Sequence, residues 1–88
     1  MNVEFRKSFE KDLVKIRDEA VLQRIKAVIE EVENAENLGD VSNVKKLKAD
    51  GDYYRVRVGD YRIGISIFDD VVIFVRVLQR KDIYRYFP

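Results

Sequence analysis

The chain has 88 residues with no cysteine and no histidine, 47% hydrophobic and 38% charged side chains, and a formal net charge of +1. Without thiols there are no disulfides or thiolate metal sites, without imidazoles the usual acid/base side chain is missing, and no Asp/Glu cluster has the spacing of a divalent-metal site. No apolar run approaches the roughly 20 residues that span a bilayer and Met1-Asn2-Val3-Glu4-Phe5 lacks a signal-peptide layout, so a cytoplasmic protein of one domain over 1–88, with no membrane association, is expected.

In chain order, Asn2 to Arg6 alternates Val3 and Phe5 with polar neighbours, the pattern of a short half-buried strand. Ser8 offers an N-cap hydroxyl to a helix whose core face is Phe9, Leu13 and Ile16. Asp18 then breaks or caps the chain before a longer helix, where Val21, Leu22, Ile25, Val28, Ile29 and Val32 form an apolar stripe ending near Asn37-Leu38-Gly39. Two antiparallel helices in a hairpin follow from this spacing. Residues 40–52 read as an irregular connection carrying Lys45, Lys46 and Lys48.

Beyond it, three runs at about 53–58, 61–68 and 71–79 are rich in Val, Ile, Tyr and Phe and separated by Gly59-Asp60 and Asp69-Asp70. Links of two residues mean tight hairpins, with Gly59 supplying the positive φ that a type II′ turn needs at its first position. The predicted fold is therefore α+β: a short N-terminal strand, a helix hairpin, and a three-stranded antiparallel meander with the helices on one face.

Charge is distributed unevenly over this plan. Residues 1–40 carry seven Lys/Arg against ten Asp/Glu, and residues 41–88 carry ten against six, so a basic sheet follows an acidic helical half. With Gly59-Asp60 as the turn, Val58 faces Tyr61 and Arg57 faces Arg62. Strand alternation then sends Arg55, Arg57, Arg62, Gly64 and Ser66 to one side, and Tyr54, Val56, Val58, Tyr61, Ile63, Ile65 and Ile67 to the helix-covered side. Arg55 and Arg57 stand about 7 Å apart along one strand, which makes an open, shallow anion-binding platform. Arg76 breaks the pattern by pointing at the helices under straight alternation; a bulge or a helix carboxylate would resolve the conflict.

Cleavage of RNA by a ribose 2′-hydroxyl attacking the adjacent phosphate fits such a residue set, because it needs no metal, cofactor or protein nucleophile. It does need a base, an acid and positive charge against the phosphorane oxygens. Arg55, Arg57, Arg62 and Arg80 supply charge in a geometry that suits phosphate, and Tyr84 or Tyr86 is the candidate base. Lys45, Lys46, Lys48 and Lys81 would hold the RNA backbone more loosely. A plainer reading stands beside this one, since Arg and Lys on alternate strand positions are also simply the solvated face of a sheet and Phe87 is expected to pack against the domain edge.

Phe5-Arg6-Lys7-Ser8-Phe9-Glu10-Lys11-Asp12-Leu13, Tyr61-Arg62-Ile63 and Arg80-Lys81-Asp82-Ile83-Tyr84-Arg85, in this order and spacing, resemble the RelE/ParE superfamily of toxin-antitoxin toxins over essentially the full length. Its RelE branch implies a ribosome-dependent mRNA endoribonuclease that enters the ribosomal A site and leaves a 2′,3′-cyclic phosphate and a 5′-hydroxyl. Carried over by position, Arg55 and Arg57 are the strand cations after the paired tyrosines, Arg62 stabilises phosphate and transition state, and Arg80 serves as acid or leaving-group stabiliser. Tyr84 or Tyr86 is the tail tyrosine, with Lys81 and Arg85 among the RNA-binding cations. Gln79 stands where many relatives carry His before the last-strand arginine. The implied partners are a separately encoded cognate antitoxin, mRNA and ribosomal RNA, with no metal and no membrane.

Two alternatives share the sequence features. The ParE branch poisons DNA gyrase through protein contact and cuts no RNA, and a non-catalytic RNA- or ribosome-binding module would use the same basic face without a placed base.

Overall fold

The computed structural model describes residues 1–88. Strand β1 (Asn2–Phe5) leads into helices α1 (Lys7–Val14) and α2 (Glu19–Asn34), a single 3-10 turn (Leu38–Asp40), strands β2 (Val44–Lys46), β3 (Tyr53–Val58), β4 (Tyr61–Phe68) and β5 (Val71–Gln79), and a closing helix α3 (Arg80–Tyr86). The strands form one sheet in the order β1-β5-β4-β3-β2, antiparallel throughout except that β1 runs parallel to β5. The α+β architecture and the meander agree with the sequence; β2 inside the 40–52 connection and α3 in the tail are additions. No helix is long and apolar enough to cross a membrane.

Both hairpins have the expected turns. Gly59 adopts φ 58° at the β3–β4 turn, while Asp69 and Asp70 both take positive φ, 53° and 63°, at the β4–β5 turn. Asp tolerates that left-handed region because its short polar side chain bonds locally. The first turn sets Val58 opposite Tyr61 and Arg57 opposite Arg62, so the alternation read from the sequence holds on both strands.

Phe9, Ile16, Ile25 and Val32 from the helical half pack on Val56, Val58, Ile63, Ile65, Val72, Phe74 and Val77 from one face of the sheet. Leu13, Val21, Leu22, Val28 and Ile29 flank this core half-buried. Asp18 caps α2, its carboxylate accepting from Ala20 N at 2.9 Å and Val21 N at 3.4 Å. The α2 helix ends at Asn34, short of the Asn37-Leu38-Gly39 stop expected for it, and Leu38 enters the core from the 3-10 turn instead.

Ser8 is not an N-cap. The cap position of α1 is Arg6, with no side-chain bond, and the Ser8 hydroxyl donates to Val75 O at 2.6 Å. The reason lies in β5: the β4–β5 register shifts between Gly64 and Ile65, pairing Gly64 with Arg76 but Ile65 with Phe74, so that Val75 is the extra residue of a bulge. Asp12, one turn beyond Ser8, accepts from Val77 N at 3.0 Å and holds Arg76 through Nε at 2.8 Å and Nη2 at 3.1 Å. The polar side of α1 thus satisfies backbone groups stranded by the bulge. Both resolutions foreseen for Arg76 occur together, since the bulge restores Val77 to the core and the carboxylate neutralises the arginine.

The second face of the sheet is not left open along its length. Helix α3 crosses it with Ile83 and Phe87 buried, and the Phe87 ring lies where a Gly64 Cβ would stand, 2.6 to 2.8 Å from its ring carbons. Tyr53 meets that ring edge-on at 5.7 Å. Gly64 and its surroundings are therefore the floor beneath a short helix, whereas the sequence suggested a bare platform, and Phe87 packs on the sheet face rather than at its edge.

Candidate functional site

The β3–β4 turn and α3 together build a cationic corner. Arg55 and Arg57 rise from β3, Arg62 from β4 directly across from Arg57, and Arg80 from the first residue of α3, whose backbone N–H is tied to Asp60 O at 2.8 Å. On a helix, Arg80 and Tyr84 are four residues apart and share one side, while Ile83 and Phe87 take the side that faces the sheet.

Electrostatics shows the convergence. The Arg62 guanidinium is held below its ordinary range first by burial and then by the charge of Arg55; Tyr84 acts in the opposite sense, and Arg57 and Arg80 lower it further. Guanidiniums from two strands and a helix, with one phenol, therefore act on a single centre. None of these guanidiniums is in an ion pair: the two ion pairs of the molecule are Lys46–Asp52 at 3.7 Å and Arg76–Asp12 at 2.8 Å.

What orients the corner is a set of neutral acceptors. Arg62 Nη1 donates to Gly59 O at 2.8 Å and Tyr61 O at 2.9 Å. Arg55 Nη1 donates to Asn43 O at 3.1 Å, and Arg57 Nη2 to Asn43 Oδ1 at 3.3 Å. Arg55 Nε is buried without a partner. A carbonyl fixes a guanidinium fork while leaving its net charge available to a ligand, which a carboxylate does not.

The remaining predicted residues divide. Lys45 lies opposite Arg55 on β2, and with Lys46, Lys48, Tyr84 and Phe87 it lines a groove of about 490 Å³ that continues the corner. Lys46 is paired to Asp52 and sits 6.0 Å from the centre of the Tyr54 ring, whose side chain belongs to the helix-covered face. Lys81 borders a depression with Asp60, Gln79 and Arg80. Arg85 is exposed on α3.

Tyr84 and Tyr86 separate although both are exposed, 60% and 54%. Tyr84 faces the corner. Tyr86 turns toward Arg76, which lies 5.8 Å from its ring centre, and joins Asp12, Lys15 and Tyr61 around a different depression. Arg76 is held above the ordinary guanidinium range, chiefly by its hydrogen bonds to Asp12 and against the effect of burial, and so belongs to the scaffold.

Asn43 and the carbonyls of Gly59 and Tyr61 escape a reading of the sequence. Carbonyl acceptors leave no residue-type signal. For Asn43 the signal is faint: it is the one asparagine that adopts a left-handed backbone, φ 64°, a conformation asparagine tolerates better than most residues.

Comparison with known proteins identifies the family and the fold. Residues 3–84 match the family described as "ParE toxin of type II toxin-antitoxin system, parDE". Toxin RelE3 of Methanocaldococcus jannaschii is similar at 49% identity over 89 residues, covering 100% of each chain. The crystal structure of a RelB-RelE antitoxin-toxin complex from Methanococcus jannaschii matches with TM-score 0.81 and 48% identity over 96% of this chain and 98% of that one. An archaeal RelE-RelB complex from Pyrococcus horikoshii OT3 follows at TM-score 0.71 and 27% identity, over 90% and 93%. Sequence kinship at this level along the whole sheet and all its helices means that the chain belongs to the RelE/ParE superfamily of toxins of type II toxin-antitoxin systems.

Proposed function

We propose that the chain is a RelE-type toxin that cuts mRNA in the ribosomal A site, an endoribonuclease working by metal-independent 2′-hydroxyl attack. The observation that carries this reading is the corner itself: Arg55, Arg57, Arg80 and Tyr84 act on Arg62, and none of the four arginines is held in an ion pair.

In this reading the Tyr84 oxygen takes the 2′-proton as the 2′-oxygen bonds to phosphorus. Arg62, with Arg55 and Arg57 beside it, stabilises the charge that grows on the phosphorane oxygens. The bond from phosphorus to the 5′-oxygen then breaks, and Arg80 stabilises the leaving oxygen while that oxygen takes a proton from solvent water. A 2′,3′-cyclic phosphate and a 5′-hydroxyl result. The lysines of the groove and Lys81 and Arg85 hold flanking phosphates and ribosomal RNA. Tyr86 has no part in the chemistry.

The chain is read as one domain over 1–88, at work in the cytoplasm and held inactive by a cognate antitoxin, a partner supported by the solved complexes of its relatives. The family match carries the ParE name, so gyrase poisoning is the second reading.

Primer extension on a translated message separates the two. Codon-phased cuts should accompany expression of the chain, and Arg62→Ala or Arg80→Ala should weaken them by about 100-fold or more, the scale of a lost transition-state donor. DNA damage linked to gyrase, without cuts in the message, would move the assignment to ParE.

A further inference from the structure

We propose that Asn43 is a positioning residue that aims the Arg55 and Arg57 guanidiniums at a nucleic-acid phosphate while leaving their charge intact. The inference deepens the reading of the same basic corner and rests on it.

Asn43 lies in the connection just ahead of β2 and touches the arginine pair three ways. Its carbonyl accepts from Arg55 Nη1 at 3.1 Å and from the Arg57 backbone N–H at 3.1 Å, and its side-chain Oδ1 accepts from Arg57 Nη2 at 3.3 Å. Its left-handed backbone, φ 64°, lets the carbonyl and the amide serve both arginines together. Every acceptor it offers is neutral. The Arg55 Nε is buried and unpartnered, and Lys45 stands across from Arg55 on the neighbouring strand. Two guanidiniums fixed by amide oxygens beside a lysine form a concentrated positive site whose donors are already oriented, and an ordered fork loses less entropy on meeting a phosphate oxygen.

The test exploits the near-identity of Asn and Asp. Asn43→Asp keeps the size, the acceptor and the tolerance of a left-handed backbone but adds a negative charge against Arg57. Asn43→Gly keeps the backbone carbonyl and tolerates the positive φ, and removes the side chain with its Oδ1. The purified chain, labelled with nitrogen-15 in its arginines, is titrated with inorganic phosphate while the arginine Nε–H resonances are followed, and thermal unfolding checks that each variant is folded.

In the parent chain the Arg55 and Arg57 signals should move on titration. Asn43→Asp should weaken that response about tenfold, as expected when one cation of the cluster is neutralised, while its dependence on ionic strength falls. Asn43→Gly should weaken the response only about two- to fivefold and leave the salt dependence unchanged, because order is lost but charge is kept. A purely structural role would instead lower the stability of both variants without separating their salt dependence. Equal phosphate affinity for Asn43→Asp and the parent, or a parent whose Arg55 and Arg57 signals ignore phosphate, overturns the inference. If the phosphate pattern holds and translated messages stay uncut, the nuclease reading alone falls.

Discussion

Single residues in this chain are sorted by what they are bonded to. Arg76 and Arg62 both stand half-buried in the sheet, yet Arg76 meets a carboxylate and Arg62 meets two carbonyls. Asp12 is only 4% exposed, so its pair with Arg76 is paid for in desolvation and returns that cost through three hydrogen bonds of good geometry. Because the folded state raises the Arg76 value, on the alkaline side its contribution to stability is kept up to the unfolded value and is lost only in strong alkali. Arg62 keeps its charge for a ligand. The same logic separates the tail tyrosines, which are equivalent by type and exposure. Tyr84→Phe should lower mRNA cleavage by about 100-fold, within the range for loss of a general base, while Tyr86→Phe should stay within about twofold of the parent. Single-turnover cleavage with each variant decides this, and equal losses would contradict the separation.

At the scale of elements, α3 determines whether the corner exists. Arg80 and Tyr84 reach Arg62 only while Ile83 and Phe87 hold this seven-residue helix on the sheet, and a helix so short has little stability of its own. Gly64 is the contact that lets it sit down. A methyl at this position would lie within 2.8 Å of Phe87 ring atoms, so Gly64→Ala should displace α3 at a cost of about 1–3 kcal/mol, the usual range for overpacking. Trypsin should then cut faster after Lys81 and Arg85, and cleavage of mRNA should fall by more than the loss of folded protein explains. Unchanged proteolysis together with unchanged activity would show that the ring simply moves aside.

Over the whole molecule, a formal charge of +1 conceals an acidic helical half and a basic sheet. The arginine corner is a concentration of unneutralised like charge, opposed even across the β3–β4 pair, and such an arrangement costs stability until an anion arrives. Sulfate should therefore raise the unfolding temperature more than chloride does at matched ionic strength, through binding rather than screening. Arg62→Ala should remove most of the difference. Identical shifts with both salts would mean that the corner does not hold an anion.

The sequence by itself determined what short-range rules govern: the place of both hairpin turns and the positive φ of Gly59, the pairing of Arg57 with Arg62, the division of β3 and β4 into an apolar and a basic side, and the Asp18 cap. Each follows from a few adjacent residues and a fixed period of two or 3.6. Only the tertiary structure decided the rest. The parallel pairing of β1 with β5, the bulge at Val75 that turns Ser8 and Asp12 inward, the docking of α3 through Gly64 and Phe87, and the hold of Asn43 on two arginines all join residues between 12 and 69 positions apart. Their energies come from surfaces and donors that meet only after the chain has closed on itself, and periodicity carries no record of which distant partner a side chain will find.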